Sequence, residues 1–219
     1  MNSLPPSGET LYAQLSPELR ALALRGVVHT YPKKAVLINE SEFGETLFVL
    51  LKGSVKVFSM DEHGREVTYG NIHAGDYFGE MSLDGGPRSA SVITLEPSTC
   101  AVLSRADISA HLAQEPGFAL SLVAQVIRRA RAATEAVRNM ALKDVYGRLV
   151  FVLEKHDGLS AGTLGHDISL ESITHQDIAS RVGASREMVS RLLKDLEKGG
   201  YIEMGTKRIV LLKKLPRSW

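Results

Sequence analysis

Two textures divide this chain, and the border between them limits the folds open to it. From Val27 to Ser104 short β-type runs follow one another at roughly ten-residue spacing, each ended by glycine or another turn residue. The stretch TLFVLLKGSVKVFSM shows the pattern: Lys52-Gly53 separates two apolar runs, and Val55 and Val57 alternate with Lys56. Asp61-Glu62-His63-Gly64 and Ala74-Gly75-Asp76 are further turns. Strands this short bury a core only by packing together, which predicts a β-sandwich or roll. After Pro116 the apolar positions change to helical steps and keep them to about Met140, with no interior proline. Ser104-Arg105-Ala106-Asp107, with capping-box spacing before Ile108, marks the change. A short leading helix is predicted at Ser16-Pro17-Glu18: a serine cap, proline at the first position and an acid in the first turn.

Inside the β-rich half, FGEMSLDGGPRSASV, from Phe78 to Val92, gathers an acid, a turn and one arginine. Gly79 lets the backbone come close to a ligand, and Glu80 can accept hydrogen bonds from a sugar hydroxyl. Asp84, Gly85, Gly86 and Pro87 reverse the chain. Arg88 and Ser89 then bring a guanidinium fork, a hydroxyl and backbone N–H groups, the donors that an anionic phosphodiester needs. The pairing of acid and base fits a ribose phosphate better than a bare anion. A surface hairpin with an incidental ion pair has the same spacing.

These residues resemble the phosphate-binding cassette of cyclic-nucleotide-binding domains. The resemblance implies that Glu80 takes the ribose 2′-hydroxyl, that Arg88 and Ser89 take the cyclic phosphate, and that Gly79 and Met81 offer backbone contacts. It also implies a jelly-roll-like β-roll.

Composition narrows the partners. Apolar residues at 44% and charged residues at 23% are ordinary for a globular protein. With no apolar run near the roughly 20 residues that span a bilayer, and no signal-peptide pattern in MNSLPPSGET, a cytoplasmic location is expected. Cys100 is the single cysteine, so neither an internal disulfide nor a cysteine-held metal cluster is expected. The seven histidines, at 29, 63, 73, 111, 156, 166 and 175, form no pair three to five residues apart; solvated or capping roles are expected for each. No nucleophile elbow or paired-carboxylate arrangement is evident, and an enzyme is not expected. Net charge is only +1, but its distribution is uneven: His175–Trp219 carries +5 and the first 174 residues −4. A basic end on an acidic body suggests that the end meets a polyanion.

The predicted long helix carries Leu122, Val126, Ala130, Ala133, Val137 and Met140 at three- and four-residue steps, and alanines at 130, 132, 133 and 136 would let two such helices approach closely. The same stripe could pack on its own domain. Val145, Leu149, Val152 and Leu153 continue a helical pattern, and GLSAGTLG, Gly158–Gly165, reads as a loop.

HQDIASRVGASREMVSRLL, from His175 to Leu193, has helix-turn-helix spacing. Ile178 and Val182 face inward, Ala179 is small where the second helix crosses, Gly183 takes a left-handed turn, and Val189 and Leu192 close the core. Thr174 and Asp177 form a capping box, and Ser185 caps the second helix. Arg186, Glu187 and Arg191 then project from the outer face of that helix. Arginine pairs with guanine O6 and N7 and glutamate with cytosine N4, each good pair giving about 1–3 kcal/mol of discrimination. YIEMGTKRIVLL reads as a winged hairpin whose Lys207 and Arg208 touch phosphates.

ASREMVSRLLKDLEKGGYI, with KDVYGRLV at 143–150, resembles the cyclic-AMP receptor/FNR family of bacterial transcription regulators over nearly the whole chain. The resemblance implies an α+β protein: a nucleotide-binding β-roll (1–115), a dimerisation helix and hinge (116–143) and a winged helix-turn-helix domain (144–219). It implies a homodimer on palindromic double-stranded DNA with TGTGA-like half-sites, contacts from Thr174, Gln176, Ser185, Ser190 and Lys194 beside Arg186, Glu187 and Arg191, and RNA polymerase as a partner. Cyclic AMP is the effector it favours. The Thr-Ser pair that meets adenine in the family is Ala133-Thr134 here, which keeps cyclic GMP and cyclic di-GMP open. A nucleotide-binding interaction module without DNA would leave the basic end unexplained.

Overall fold

In the computed structural model, residues 11–154, 168–171, 173–206 and 208–216 are described. The chain divides into two compact units, Met1–Ser59 with Tyr69–Ala130, and Met60–Thr68 with Arg131–Trp219. Helix α1 (Pro17–Ala23) starts at the predicted cap, where Ser16 Oγ accepts the Leu19 amide. Eight strands follow: β1 (Val27–Tyr31), β2 (Val36–Ile38), β3 (Leu47–Lys52), β4 (Ser54–Met60), β5 (Glu66–His73), β6 (Tyr77–Phe78), β7 (Ser91–Thr94) and β8 (Ser98–Leu103). They form two four-stranded sheets, ordered β1-β8-β3-β6 and β2-β7-β4-β5, with antiparallel pairing throughout the registered ladders.

The break at Gly53 is therefore not a hairpin within one sheet, as the sequence of β3 and β4 invites one to think. It is the corner where the chain passes from one sheet to the other. Gly53 has φ +92°, and a Cβ there would stand 2.4 Å from Ser98 Oγ, so this crossing excludes any side chain.

Strand β3 also explains its own unbroken apolar run. It is buried on both faces: Leu47, Val49 and Leu51 join a cluster with Leu19, Leu22, Ile108 and Phe118, whereas Phe48 and Leu50 join Ile38, Val55, Phe78, Val92 and Cys100. One face meets the helices and the other the opposite sheet, so alternation vanishes from the sequence. Phe48 and Phe78 stack at 5.0 Å in the inter-sheet layer. Burial pushes the Cys100 thiol up to about 12, so it is protonated and unreactive at neutral pH.

Helix α2 (Arg105–Gln114) opens on the predicted capping box, with Ser104 and Asp107 bonding each other's amides. Helix α3 (Pro116–Leu142) is the long helix. Its outward surface carries most of the predicted stripe, with Val126, Val137 and Met140 exposed, but not its first residue. Leu122 packs against the roll's own core, while Leu120, 76% exposed, Val123, Ile127 and Val137 stand in solvent. A second line at three-four spacing, through Leu120, Val123 and Ile127, is exposed as well, so one side of α3 serves the roll and another faces outward. No described helix is long and apolar enough to cross a membrane.

Helices α4 (Val145–Glu154), α5 (His175–Val182) and α6 (Arg186–Lys198) enclose a separate core of Leu149, Leu153, Ile178, Val189, Leu193 and Leu196. Leu193, rather than Leu192, is the wholly buried leucine of α6; Leu192 packs at its margin. Strands β9 (Ile168–Glu171), β10 (Ile202–Gly205) and β11 (Arg208–Leu211) form an antiparallel sheet ordered β10-β11-β9, so the predicted hairpin gains a third strand. The predicted loop at Gly158–Gly165 lies outside the described residues.

Candidate functional site

The segment after β6 turns sharply because Gly79 has φ +92° and ψ 4°, which starts a single 3-10 turn over Glu80–Ser82. Ser82 Oγ returns to Gly79 O at 3.2 Å, and Asp84 Oδ1 accepts the Gly86 amide at 2.8 Å to close the predicted reversal. This geometry carries Glu80 and Arg88 inward: they are 4% and 7% exposed. Met81 and Ser89 stay at the surface, where Ser89 Oγ donates to Met81 Sδ at 3.3 Å.

Arg88 is held by oxygen atoms far away in sequence. Its Nη1 donates to Gly79 O at 2.8 Å, and its Nη2 donates to Thr46 O at 3.0 Å and to Thr46 Oγ1 at 2.8 Å. The fork has five N–H groups. Nε–H and the second Nη1–H have no partner among the described residues, so a fixed cation keeps donors in reserve. Two glycines make the space: a Cβ on Gly79 would lie 2.9 Å from Nη1, and one on Gly44 3.1 Å from Nη2. Burial lowers the guanidinium's proton affinity and Glu80 opposes the effect; an arginine still stays charged.

Glu80 is met from helix α3. Arg129 Nη1 makes an ion pair with Glu80 Oε1, and Arg129 Nη2 donates to Tyr77 O at 2.6 Å. Four residues earlier on the helix, Gln125 Nε2 donates to both carboxylate oxygens of Asp76. Glu80 Oε2 has no hydrogen-bond partner among the described residues. A buried carboxylate oxygen without a donor is costly, which makes a hydroxyl arriving there favourable. The Tyr77 hydroxyl is pushed up to about 12, by burial first and by Glu80 second.

Sequence reading located the cassette but not Thr46, Gly44, Gln125 or Arg129. Thr46 stands 42 residues from Arg88, and nothing local links them. Arg128-Arg129, a basic pair inside an apolar stripe, was the available signal for the helix contact. Ala133 and Thr134 are exposed on α3 and fall in the other compact unit.

The second site is the paired helices α5 and α6. Thr174 Oγ1 accepts the Asp177 amide and Asp177 Oδ2 accepts the Thr174 amide, the predicted reciprocal cap. Gly183 sits at φ 64° and ψ 45°, and the Ala184 amide bonds Ala179 O at 3.1 Å. Ser185 caps α6 through the Met188 amide. Arg186, Glu187, Arg191 and Lys194 are exposed on the side of α6 opposite Val189, Leu193 and Leu196. The Glu187 carboxyl lies below the usual carboxylate range because its own amide and the Ser185 hydroxyl bond it, so it is an acceptor at neutral pH. Ser190 is half-buried and bonds His175 Nδ1 at 2.8 Å. Thr174, His175, Gln176, Arg186, Gly205 and Arg208 border a cleft of about 300 Å³ between α5, α6 and the wing. Lys207 lies outside the described residues. Arg148, not foreseen, ties this domain to the end of α3: its Nε donates to Val182 O at 2.7 Å and its Nη1 to Lys143 O at 2.8 Å.

A β-roll with a buried acid and arginine on one connection, followed by a helix-turn-helix with a cationic outer face, defines a class: cyclic-nucleotide-responsive, DNA-binding transcription regulators. The comparisons with known proteins agree. Residues 28–115 match the family model of the cyclic nucleotide-binding domain, and residues 147–216 that of the Crp-like helix-turn-helix domain. The chain is 36% identical over 186 residues to the cAMP-activated global transcriptional regulator CRP of Pasteurella multocida, covering 84% of this chain and 89% of that protein. With CRP of Escherichia coli O6:H1 the identity is 34% over 201 residues, 90% of this chain and 95% of the relative. Among solved structures, the Thermus thermophilus catabolite activator protein aligns with 28% identity and a TM-score of 0.54 over 92% of this chain and 93% of that one. The c-di-GMP-responsive regulator CLP of Xanthomonas campestris shares the fold at a TM-score of 0.75 and 24% identity, covering 89% of this chain and 97% of its own. The chain belongs to the CRP/FNR family of transcription regulators.

Proposed function

We propose that this chain is a homodimeric regulator that binds cyclic AMP in its β-roll and then holds a palindromic operator, with RNA polymerase as its downstream partner. The observation that carries the ligand reading is the reserve at the two ends of the cassette: an undonated carboxylate oxygen on Glu80 and unused N–H groups on Arg88. A cyclic ribose phosphate offers a hydroxyl and an anionic phosphodiester on one rigid frame, matching both. Ser89 adds a hydroxyl and Gly79 and Met81 their backbone amides. The relatives that bear the name cAMP-activated regulator favour cyclic AMP. Cyclic GMP and cyclic di-GMP are the competitors, since Ala133 withdraws one hydroxyl from the pair Ala133-Thr134 expected to meet the base.

The bare line on α3 through Leu120, Val123 and Ile127 supports pairing with a second copy. A two-fold dimer presents two α6 helices to half-sites about 34 Å apart, one turn of DNA. Arg186, Glu187 and Arg191 read base edges there. Thr174, Gln176, Ser185, Ser190, Lys194, Lys207 and Arg208 position the domain on the backbone. Nucleotide acts by binding the DNA-competent arrangement more tightly than the other, a coupling commonly of about 1–3 kcal/mol.

Isothermal titration with the three nucleotides tests the assignment. Cyclic AMP binds most tightly to the wild type, and Arg88→Ala and Glu80→Ala each lose affinity by roughly tenfold or more, the cost of an unmade bond to a charged group. Unchanged affinity in both variants removes the cassette from the mechanism. Repeating the titration with a TGTGA-type palindrome present, at fixed salt, tightens nucleotide binding by the factor by which nucleotide tightens DNA binding.

A further inference from the structure

Among the described histidines, His111 is the one whose surroundings differ most from its expected solvated or capping role. It lies on α2 with 1% of its surface exposed, and neither ring nitrogen has a hydrogen-bond partner among the described residues. A neutral imidazole carries one donor and one acceptor, so both functions go unused in a site that admits no bulk water. The ring instead packs edge-on against Phe118, centroids 5.1 Å apart at 71°. Phe118 belongs to the apolar cluster that joins the roll to its helices, and it stands in the first turn of α3. The joint between the helices is short: the Glu115 amide bonds His111 O at 2.8 Å, and the Phe118 amide bonds Glu115 O at 3.0 Å. His111 is thus the hub about which α2 turns into α3.

The charged groups around the ring give a proton a poor reception. Arg25, just beyond α1, adds a positive charge and is held by Gln114 on α2. Glu115, at the C-cap of α2, is the acid that opposes it. From β6, Tyr77 packs on Phe118 as well, ring centroids 6.3 Å apart, its own hydroxyl without a hydrogen-bond partner among the described residues and protonated far above neutrality. The opening of α3, Pro116 to Leu120, has no charged residue. Burial first, and Arg25 second, therefore hold the His111 pKa below its ordinary value.

We propose that His111 is a proton-sensitive joint: it seats α3 on the roll while neutral, and its protonation unseats the α2–α3 elbow. Its direction follows from linkage. The unfolded chain takes up the proton near the ordinary value of about 6.5, the folded one only at lower pH, so the unfolded state binds more protons in between. Stability is full above that ordinary value and falls as pH drops below it. The joint rests on the packing of the roll alone and needs neither a nucleotide nor DNA.

The test uses the full chain without nucleotide, in thermal unfolding from pH 7.5 to 5.0, for wild type, His111→Leu and His111→Gln. Wild type loses melting temperature on acidification by about 3 °C or more beyond the loss seen in His111→Leu, whose apolar side chain suits the cavity and cannot titrate. Parallel pH curves for the two overturn the proposal. Should the leucine variant fold poorly, the wild-type imidazole C–H resonances decide, the His111 signal being the one missing from His111→Gln. A signal that holds its neutral position to well below pH 6.5 supports the joint, and one that titrates like free imidazole overturns it.

Discussion

Gly79 does two things that no other residue can do together. Its φ of +92° starts the turn that aims Glu80 inward, and its missing side chain leaves room for Arg88, since a Cβ would lie 2.7 Å from Thr46 O as well as against the guanidinium. Gly79→Ala therefore meets backbone strain of about 1–3 kcal/mol and a steric conflict at the anion donor. The expected outcome is a melting temperature several degrees lower and loss of nucleotide binding by titration. Gly64→Ala separates the two effects. Gly64 has φ +75° with nothing within 4 Å of its would-be Cβ, so this variant shows strain in the melt but unchanged nucleotide affinity. If Gly79→Ala bound nucleotide like wild type, Arg88 would not be the fixed donor described above.

Among the elements, α3 matters most because it answers the cassette with a cation. Arg129→Met leaves the buried Glu80 carboxylate without its ion-pair partner, and Glu80→Gln removes that charge. Arg129 keeps some exposure, which reduces the penalty from that of a fully buried pair to about 1–3 kcal/mol. The double variant recovers part of the loss, giving a coupling of roughly 0.5–3 kcal/mol in a thermal or denaturant cycle. Strict additivity would mean that the ion pair contributes nothing to the seating of α3. The same element shows how much was legible beforehand. Caps at Ser16, Ser104, Thr174 and Ser185, the turns at Gly64 and Gly75 and the left-handed turn at Gly183 depend on residues within about four positions, and those could be read directly. The inward placement of Glu80 and Arg88 was half legible: the residue types suggested an anion site, but the oxygen atoms of Thr46 and the cation of Arg129 come from distant parts of the chain. So do the third wing strand β9, the sheet change at Gly53 and the burial of His111. Each depends on which surfaces meet in three dimensions, and periodicity along one segment cannot encode that. The predicted α3 stripe is exposed at Val126, Val137 and Met140 but turned inward at Leu122, because a helix in demand on two sides has too many apolar positions for its outward seam to be singled out.

For the molecule as a whole, that bare seam makes a claim about assembly. Ile127→Glu places a charge in the centre of the proposed helix pair while leaving the roll-facing side untouched. Sedimentation should show a monomer that still binds cyclic AMP in the Glu80–Arg88 pocket yet retains operator at a small fraction of wild-type affinity, because each half-site is then bound alone. A variant that stays dimeric sends the pairing surface elsewhere on the protein. One more property of α3 bears on how such an assembly responds. The border between the two compact units falls between Ala130 and Arg131, inside a helix with neither glycine nor proline from Phe118 to Leu142. A stiff rod of 27 residues is about 40 Å long. Tilting a rod of that length by five degrees at its base moves its far end through about 3.5 Å, roughly the rise of one base pair.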